Sequence, residues 1–379
     1  LVFGTVLLRR VCPGGVRATR RRLIHVFSLL ALARLLDAHL PRPPPPVDGS
    51  RARTVLITGG NSGVGYETAR RLAVTYGKNV ILGCRSEAKC AAAADAIDAE
   101  AGSSGGGGGA APIKIDLSDF DSVASVAERL VAENIKIDVL FNNAGYAPVA
   151  GVPADARGLD PSFADMHLSH FLLTETLLRS NPEMRVVLTS SGTHHLCAIP
   201  FVLPRYFMDT ASIPHGAGCV DEEYLEKGMY GSIDGAAYIR AKAANMMHAV
   251  EIPRRHAGAT AVAVDLGWVG TAIQPFMLTA LSPTALGWMR NVEVGVMPVI
   301  RAILVEDEQL LQDLRSQRGQ WKEGGIAMNV FGDAEEAFTY NWWKESAGTG
   351  RSRMLELSNL LWDVSNTVLR KNGYLSTNM

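Results

Sequence analysis

The chain has 379 residues, of which 47% are hydrophobic and 20% are charged, and its formal net charge is −1. This is the composition of an ordinary globular protein, so it excludes whole-chain disorder, a coiled coil and a polybasic nucleic-acid binder. The first fifty residues differ from the rest, since they contain eight Arg, no Lys and two Asp, a net charge of +6.

Residues 1–50 are expected to form an N-terminal extension outside the folded domain. No acidic residue precedes Asp37, and this Arg-rich composition is typical of a transit peptide for a mitochondrion or plastid. Residues 23–40 are apolar but interrupted by charges, and their unbroken run is too short to span a bilayer. An apolar helix of this kind is expected to bury its surface against a partner. A membrane surface, or a membrane protein complex that contacts residues 1–46, would be such a partner. Residues 41–46 read PRPPPP and predict an extended linker.

The five cysteines predict neither a disulfide framework nor a zinc ribbon. They form no CxxC pair, and their number is odd. A reducing compartment is the plain interpretation. The cysteines are Cys12, Cys84, Cys90, Cys197 and Cys219.

Residues 51–379 are predicted to form one α/β domain. Short β-branched runs alternate with alanine-rich helical stretches, a pattern that predicts right-handed βαβ units. We therefore expect a doubly wound Rossmann fold with a mainly parallel seven-stranded sheet. The expected strands are Thr54–Thr58, Asn79–Cys84, Ile113–Asp116, Val139–Asn142, Arg185–Ser190, Ala261–Asp265 and a seventh near Ala327–Phe331.

Two insertions are expected within this domain. Residues 102–109, GSSGGGGG, predict a flexible surface loop without side chains for chemistry. Residues 192–235 contain Pro, Gly and an acidic patch at Asp221–Glu223, and they are candidates for a substrate-pocket wall or a partner contact.

A glycine-rich loop follows the first expected strand and precedes a helical run. Glycine clusters are often plain turns, but in this context glycines let the backbone approach a pyrophosphate at a helix N-terminus. The predicted dinucleotide-binding residues are Thr58, Gly59, Asn61, Ser62, Gly63, Val64 and Gly65. At the end of the second strand the chain has Arg85 instead of an acid, which favours the 2′-phosphate of NADP(H) over the free ribose of NAD. A solvated surface arginine is the alternative.

Tyr238 and Lys242 are four residues apart in a helical stretch, so they share one face. A lysine ammonium, together with the positive nicotinamide of an oxidised cofactor, is expected to lower the tyrosine pKa towards the working range. Tyr238 would then exchange a proton with a substrate oxygen.

Several motifs in register make the chain resemble the short-chain dehydrogenase/reductase family. They are TGGNSGVG at 58–65, Asp116, Asn142–Gly145, Ser190–Ser191 and Tyr238–Lys242. Residues 81–89, 167–174 and 360–365 are most similar to its retinol-dehydrogenase-like and protochlorophyllide-reductase-like branch, and the resemblance covers about residues 52–275.

The resemblance implies roles for further residues. Ser191 would hydrogen-bond the substrate carbonyl, and Lys242 would hold the nicotinamide ribose. Asp116 would lie near the adenine. The adenosine ribose would lie beside Asn143, Ala144 and Gly145, and the carboxamide would meet Gly267, Val269 and Thr271.

Two departures from the family pattern put activity in question. The branch has an Asn before its HLGHF-like segment, where it helps to position a water in the proton relay to the lysine. This chain has Met166 there, and a thioether cannot donate that hydrogen bond. The loop after the sixth strand, residues 265–271, lacks the Pro of the family motif.

No metal site is predicted. His167, His170, His194 and His195 have no carboxylate or thiol at a matching spacing.

Two functions are compatible with these residues. The first is an NADP(H)-dependent oxidoreductase that transfers hydride to or from a bulky apolar carbonyl or alcohol. The second is a cofactor-binding but catalytically reduced accessory subunit of an organellar membrane complex. Intact Ser191, Tyr238 and Lys242 favour the enzyme, whereas Met166 favours the subunit. No nucleic-acid partner is expected.

Overall fold

The fold is described from a computed structural model of the chain. The structure describes residues 52–105, 107–147, 151–191, 220, 222–232, 237–266, 269–271, 291–305, 320–323, 326–331 and 350–375. The N-terminal extension 1–50 and most of the expected insertion 192–235 therefore lie outside the described residues.

The described strands form one mixed sheet. They are β1 (Thr54–Thr58), β2 (Asn79–Cys84), β3 (Gly109–Lys114), β4 (Val139–Asn142), β5 (Arg185–Ser190), β6 (Thr260–Asp265), β7 (Gln320–Glu323) and β8 (Ile326–Phe331). Their order across the sheet is β3-β2-β1-β4-β5-β6-β8-β7. The first six run parallel, while β8 is antiparallel to β6 and β7 is antiparallel to β8.

The doubly wound, mainly parallel architecture is confirmed, and the expected count of seven strands is one short. The strand expected near residues 327–331 is β8, and β7 pairs antiparallel with it. A partner strand of four residues has too little periodicity to be recognised from sequence.

Helices cover both faces of the sheet. Those of eight residues or more in the described ranges are α1 (Gly63–Val74), α2 (Glu87–Ser104), α3 (Phe120–Ala132), α4 (Ser169–Ser180), α5 (Ala237–Arg255), α6 (Met297–Leu304) and α7 (Gly350–Lys371). A short helix, Val292–Gly295, precedes α6, and a π-helical turn lies at Tyr224–Gly228. A short turn, Pro161–Phe163, and a π-helical turn, Ala164–Leu168, lead into α4.

Alternate residues along each strand supply two separate cores. Val55 and Ile57 of β1 pack with α1, α2 and α6, whereas Leu56 packs on the other face with α3, α4, α5 and α7. Because a central parallel strand is covered on both sides, its residues are apolar almost without interruption. Burial at this scale makes the sheet a rigid frame for the loops at its carboxyl edge.

The surface loop expected at residues 102–109 is shorter in the structure, because its ends belong to a helix and a strand. Helix α2 continues through Ser104 and ends at Gly105, whose φ of +69° suits glycine, and β3 already begins at Gly109. The strand expected at Ile113–Asp116 thus starts four residues earlier and ends two residues earlier. Pairing with β2, which places Gly109 opposite Asn79, outweighs the low strand propensity of glycine and alanine.

The cysteine pattern predicted no disulfide framework, and the structure contains one disulfide among the described residues. Cys84, at the end of β2, forms a disulfide with Cys90 in the first turn of α2, and both residues are buried. A spacing of six residues brings the two together because the chain turns from strand to helix between them. Cys12, Cys197 and Cys219 lie outside the described residues.

Among the helices in the described ranges, none combines the length and the hydropathy required to cross a bilayer.

Candidate active site

A cleft of about 730 Å³ opens at the carboxyl ends of the parallel strands. Strand order reverses between β1 and β4, and the crevice at such a point is where doubly wound folds bind ligands. The predicted site residues that line it are Thr58, Gly59, Asn61, Ser62, Gly63, Val64, Arg85, Asp116, Asn143, Ala144, Gly145, Ser191, Tyr238, Lys242, Val269 and Thr271. Gly65 is buried beneath the first loop, and Gly267 lies outside the described residues.

The glycine-rich loop has the backbone that a dinucleotide cradle requires. Gly59 has φ of +68° and Gly63 has φ of +54°, conformations that side chains rarely adopt. The Gly59 N–H donates to the Gly83 carbonyl at 2.7 Å, which ties the loop to the end of β2. Helix α1 begins at Gly63, so its first N–H groups face the cleft, and this arrangement fits a pyrophosphate.

Gly65→Ala is expected to destabilise the fold and to weaken dinucleotide binding. A Cβ at this position would lie 2.3 Å from the Gly59 carbonyl oxygen and 2.7 Å from Asn143 Nδ2. Relieving such overpacking typically costs about 1–3 kcal/mol, and here the backbone of the loop itself must move. Urea unfolding and calorimetric titration with NADPH would measure both effects.

Gly102→Ala is the matched control, because a Cβ there meets nothing within 4 Å and Ala favours a helix by about 1 kcal/mol. Equal stability and affinity for Gly65→Ala and Gly102→Ala would contradict the close contact.

A second loop, after β4, is fastened to the first through Thr58. The Thr58 hydroxyl accepts the backbone N–H groups of Asn143 at 2.9 Å and Ala144 at 3.0 Å, and Asn143 Nδ2 donates to the Thr58 carbonyl at 2.8 Å. His170 Nε2 lies 2.9 Å from the same hydroxyl, and its Nδ1 lies 3.1 Å from the Met166 carbonyl. Since the hydroxyl already accepts two bonds, it donates to Nε2, and Nδ1 carries the proton.

Arg85 and Asp116 lie at one end of the cleft. Arg85 is exposed, and its guanidinium makes no hydrogen bond or ion pair with any described residue. Asp116 Oδ1 accepts the Ser118 N–H at 3.0 Å and the Ser118 hydroxyl at 2.7 Å, so this carboxylate also stabilises its own turn. Of the two cationic side chains that line the cleft in the described residues, Lys242 is bonded to the Thr189 carbonyl, whereas Arg85 is available to bind an anion.

Ser191, Tyr238 and Lys242 meet at the other end of the cleft. Helix α5 presents Tyr238 and Lys242 on one face, with Lys242 Nζ 5.6 Å from the centre of the Tyr238 ring. Ser191, just beyond β5, hydrogen-bonds Tyr238. Lys242 is buried and donates to the Thr189 carbonyl at 3.2 Å, so its ammonium is held in place.

The side chains around Tyr238 do not by themselves lower its pKa, so the lowering expected from Lys242 together with an oxidised nicotinamide stays a prediction. Burial raises the pKa of Tyr238 to about 12, although the Ser191 hydrogen bond acts in the opposite direction. Burial also lowers the pKa of Lys242 to about 8. Tyr238 is therefore protonated at neutral pH and is suited to donate a proton to a carbonyl oxygen.

Met166 lies beside Lys242, where the family has an amide. It belongs to the π-helical turn, and a Cβ added to Gly145 would lie 3.4 Å from Met166 Sδ and 3.3 Å from Lys242 Nζ. The thioether thus occupies the neighbourhood of the ammonium without replacing the amide's hydrogen bonds.

Of the four histidines considered as metal ligands, the two that the structure describes, His167 and His170, are buried core residues. His170 bonds Thr58 and the Met166 carbonyl, and His167 Nε2 lies 3.1 Å from the Ser365 hydroxyl of α7. His194 and His195 lie outside the described residues. In the part of the chain that the structure describes, no three His, Cys, Asp or Glu side chains are placed to hold a metal ion.

Sequence reasoning missed part of the cleft wall. Two of these additions, Tyr146 and Asp165, are joined by a hydrogen bond, in which the tyrosine hydroxyl donates to Asp165 Oδ2 at 3.0 Å. No local pattern marks either residue, because they become neighbours only when the loop after β4 packs on the turn before α4. The other additions are Gly83, Cys84, Ile115, Leu117, Ser118, Ala147 and Thr189. Residues from segments that the sequence did single out also line the cleft, namely Met166, Ser190, Asp265 and Leu266.

Comparisons with known proteins agree with this geometry. Residues 53–197 match the family model described as short chain dehydrogenase. The chain is 31% identical over 261 residues to retinol dehydrogenase 12 of Bos taurus, covering 67% of this chain and 74% of the relative. It is 32% identical over 222 residues to the chloroplastic protochlorophyllide reductase B of Oryza sativa subsp. japonica, covering 56% of this chain and 53% of that protein.

A solved structure, a short chain dehydrogenase of Shigella flexneri 2a complexed with NADP, aligns with a TM-score of 0.47 at 20% identity and covers 68% of this chain and 92% of that one. The family model matches the stretch that contains the cradle, the second loop and β5. The chain belongs to the short-chain dehydrogenase/reductase family, in its retinol-dehydrogenase-like branch.

Proposed function

We propose that the protein is an NADP(H)-dependent oxidoreductase that reduces a bulky apolar aldehyde or ketone, or oxidises the corresponding alcohol. The observation on which this rests is the meeting of Ser191, Tyr238 and Lys242 in a cleft that also contains the dinucleotide cradle. Use of NAD(P)(H) follows from the family. The choice of NADP(H) and the apolar substrate are the proposal.

Each of the three side chains has a distinct task. A bound nicotinamide supplies or accepts the hydride. Ser191 orients the carbonyl oxygen by a hydrogen bond, and Tyr238 gives that oxygen its proton. Lys242, fixed by the Thr189 carbonyl, places a positive charge beside the developing phenolate and stabilises it.

Relatives named retinol dehydrogenases support an apolar substrate. The direct test is incubation of the purified chain with NADPH and either all-trans-retinal or decanal, with the alcohol product measured by chromatography. Formation of the alcohol is the expected result. Firm NADPH binding without any alcohol from either aldehyde would contradict the enzyme proposal.

Arg85→Ala is expected to reduce NADPH affinity and to leave NADH affinity unchanged. The exposed, unpaired guanidinium at the cleft edge fits a 2′-phosphate, and a hydrogen bond to a charged group contributes about 1.5–3 kcal/mol, or about 10–150-fold in affinity. Titration of both dinucleotides measures the difference. Arg129→Ala, which removes an equal charge from an exposed site on α3, is the control. Equal losses for NADPH and NADH would rule out the assigned role.

Met166 is the observation that favours the second candidate, a cofactor-binding accessory subunit.

We propose organellar localisation for either function, supported by the Arg-rich composition of residues 1–50 and by a relative that is chloroplastic. Attachment to a membrane complex through residues 1–46 remains a prediction, since these residues lie outside the described ranges. Deleting them should release the protein from membrane fractions while leaving NADPH binding intact; persistent membrane association would contradict this attachment.

A further inference from the structure

One ionisable pair in the cleft has no part in the function proposed above. Asp165, half-buried in the π-helical turn, accepts a hydrogen bond from Tyr146, and both side chains line the cleft. A partly buried carboxyl group inside a ligand cleft is a recurrent mark of a functional group.

Each residue of the pair is the chain neighbour of a residue near Lys242. Gly145 lies close to both Lys242 Nζ and Met166 Sδ, as its virtual Cβ shows. Tyr146 follows Gly145 directly, and Asp165 directly precedes Met166. The Tyr146–Asp165 hydrogen bond therefore joins the same two segments that approach Lys242, and all three side chains line one cleft.

The surroundings of Asp165 keep its proton exchangeable near neutral pH. Burial raises the pKa of Asp165 to about 6, while the Tyr146 hydrogen bond and the charge of Arg157 lower it, and Asp116 and Asp155 raise it. Arg157 is itself paired with Asp155, which limits its effect on Asp165. An acid with this pKa can both give and regain a proton under working conditions.

Met166 cannot perform this task, because a thioether has no proton to donate. Its carbonyl oxygen already accepts the His170 ring N–H. Asp165, the neighbour of Met166 in the chain, is an ionisable side chain that lines the same cleft as Lys242.

We propose that Asp165, oriented by Tyr146, is the outer proton-relay residue that restores the proton of Tyr238 by way of Lys242 and water. The inference rests on the proposed reductase function. During reduction the carbonyl carbon receives a hydride, the π electrons move to the oxygen, and that oxygen takes the Tyr238 proton. The phenolate regains a proton from the Lys242 ammonium, the amine regains one through water from the Asp165 carboxylic acid, and the carboxylate is reprotonated by solvent. One hydride and one proton are consumed per turnover, and the dinucleotide is oxidised by two electrons.

The test compares the full chain with Asp165→Asn, a nearly isosteric change, in NADPH-dependent reduction of decanal between pH 5 and pH 9. The unmodified protein should show a kcat that declines as pH rises through the Asp165 pKa. Asp165→Asn should lower kcat about tenfold, less than the loss of a direct proton donor, and should remove the inflection without changing KM. Asp95→Asn, an exposed acid on α2, is the matched control and should retain the original profile.

Two further variants separate a relay from a merely structural role. Tyr146→Phe removes the hydrogen bond that stabilises the carboxylate, so it should move the inflection to higher pH. Adding Met166→Asn to Asp165→Asn should recover part of the lost kcat, because an amide then stands beside Lys242. Independently of activity, carbon NMR of the ligand-free chain should show one carboxyl group titrating near pH 6 that is missing in Asp165→Asn.

An Asp165→Asn variant with the kcat and pH profile of the unmodified protein would overturn the relay and leave the reductase proposal standing. Absence of decanal and all-trans-retinal turnover in the unmodified protein would overturn the reductase proposal and the relay with it.

Discussion

Replacing Tyr238 with Phe is expected to slow carbonyl reduction by about 10²–10⁴-fold, the usual contribution of a positioned proton donor. The substitution removes the hydroxyl that hydrogen-bonds Ser191 and keeps the buried ring and its contact with Lys242. Dinucleotide affinity should stay unchanged, because the cradle and Arg85 are untouched. Steady-state kinetics with decanal and titration with NADPH measure the two quantities.

Tyr230→Phe is the control for this substitution. Tyr230 is 46% exposed and lies outside the cleft, so its hydroxyl should be dispensable. If Tyr238→Phe kept most of the turnover, the proton would have to come from another group, and the assignment of Tyr238 would be wrong.

Acidification from pH 7 to pH 5 is expected to lower the free energy of unfolding by about 2 kcal/mol through the buried His170, and the buried His167 acts in the same direction. Burial lowers the pKa of His170 to about 3 and also holds the pKa of His167 well below its ordinary value. The His170 ring thus stays neutral in the folded protein at pH 5. In the unfolded chain it has the ordinary pKa of about 6.5 and binds a proton, which favours unfolding by about 2 kcal/mol, and the lowered pKa of His167 adds to this in the same direction.

The sign and the window follow from these values. The stability is fully present above the unfolded pKa and declines as pH falls through about 6.5 towards the folded pKa. Asp165 acts in the opposite direction, because its pKa is raised on folding, but it is one partly exposed group against two buried rings. Urea unfolding at pH 7, 6 and 5 measures the slope.

His170→Gln provides the comparison, since its amide oxygen can still accept the Thr58 hydroxyl. This variant should be less stable at pH 7 and should lose the part of the pH dependence that one histidine contributes. An unfolding free energy that is constant from pH 7 to pH 5 would contradict the neutral buried rings.

Local sequence patterns were sufficient for most of the sheet but not for its edges. Strands β1, β2, β4 and β5 begin and end at the predicted residues, because each is an apolar or β-branched run bounded by polar or glycine residues. The start of β3 depends on its register with β2, and β7 depends on antiparallel pairing with β8. Neither kind of pairing is encoded within a short window of sequence.

For the site, too, the sequence predicted the residues of local motifs but not the contacts between separate elements. Residues that belong to spaced motifs, such as Tyr238 with Lys242 or the cradle glycines, were found because their chemistry needs that spacing. The Tyr146–Asp165 hydrogen bond joins residues 19 positions apart, and the Cys84–Cys90 disulfide joins a strand end to a helix. These contacts depend on how two elements pack, which the residue types alone do not specify.

Helix α7 has a consequence for the order in which the chain can fold during synthesis. Its residues Leu361, Trp362 and Leu369 complete the core under α4 and α5, and the Trp362 ring lies 4.9 Å from that of Phe171. About a hundred residues separate α5 from α7, so a ribosome must translate all of them before the core around α4 and α5 is complete. During that interval the side chains of α4 and α5 that contact α7 are exposed to chaperones and to other nascent chains. The other face of the sheet is covered by α1, α2 and α6, and α6 ends at Leu304, well before α7 begins, so the two faces are completed at different times.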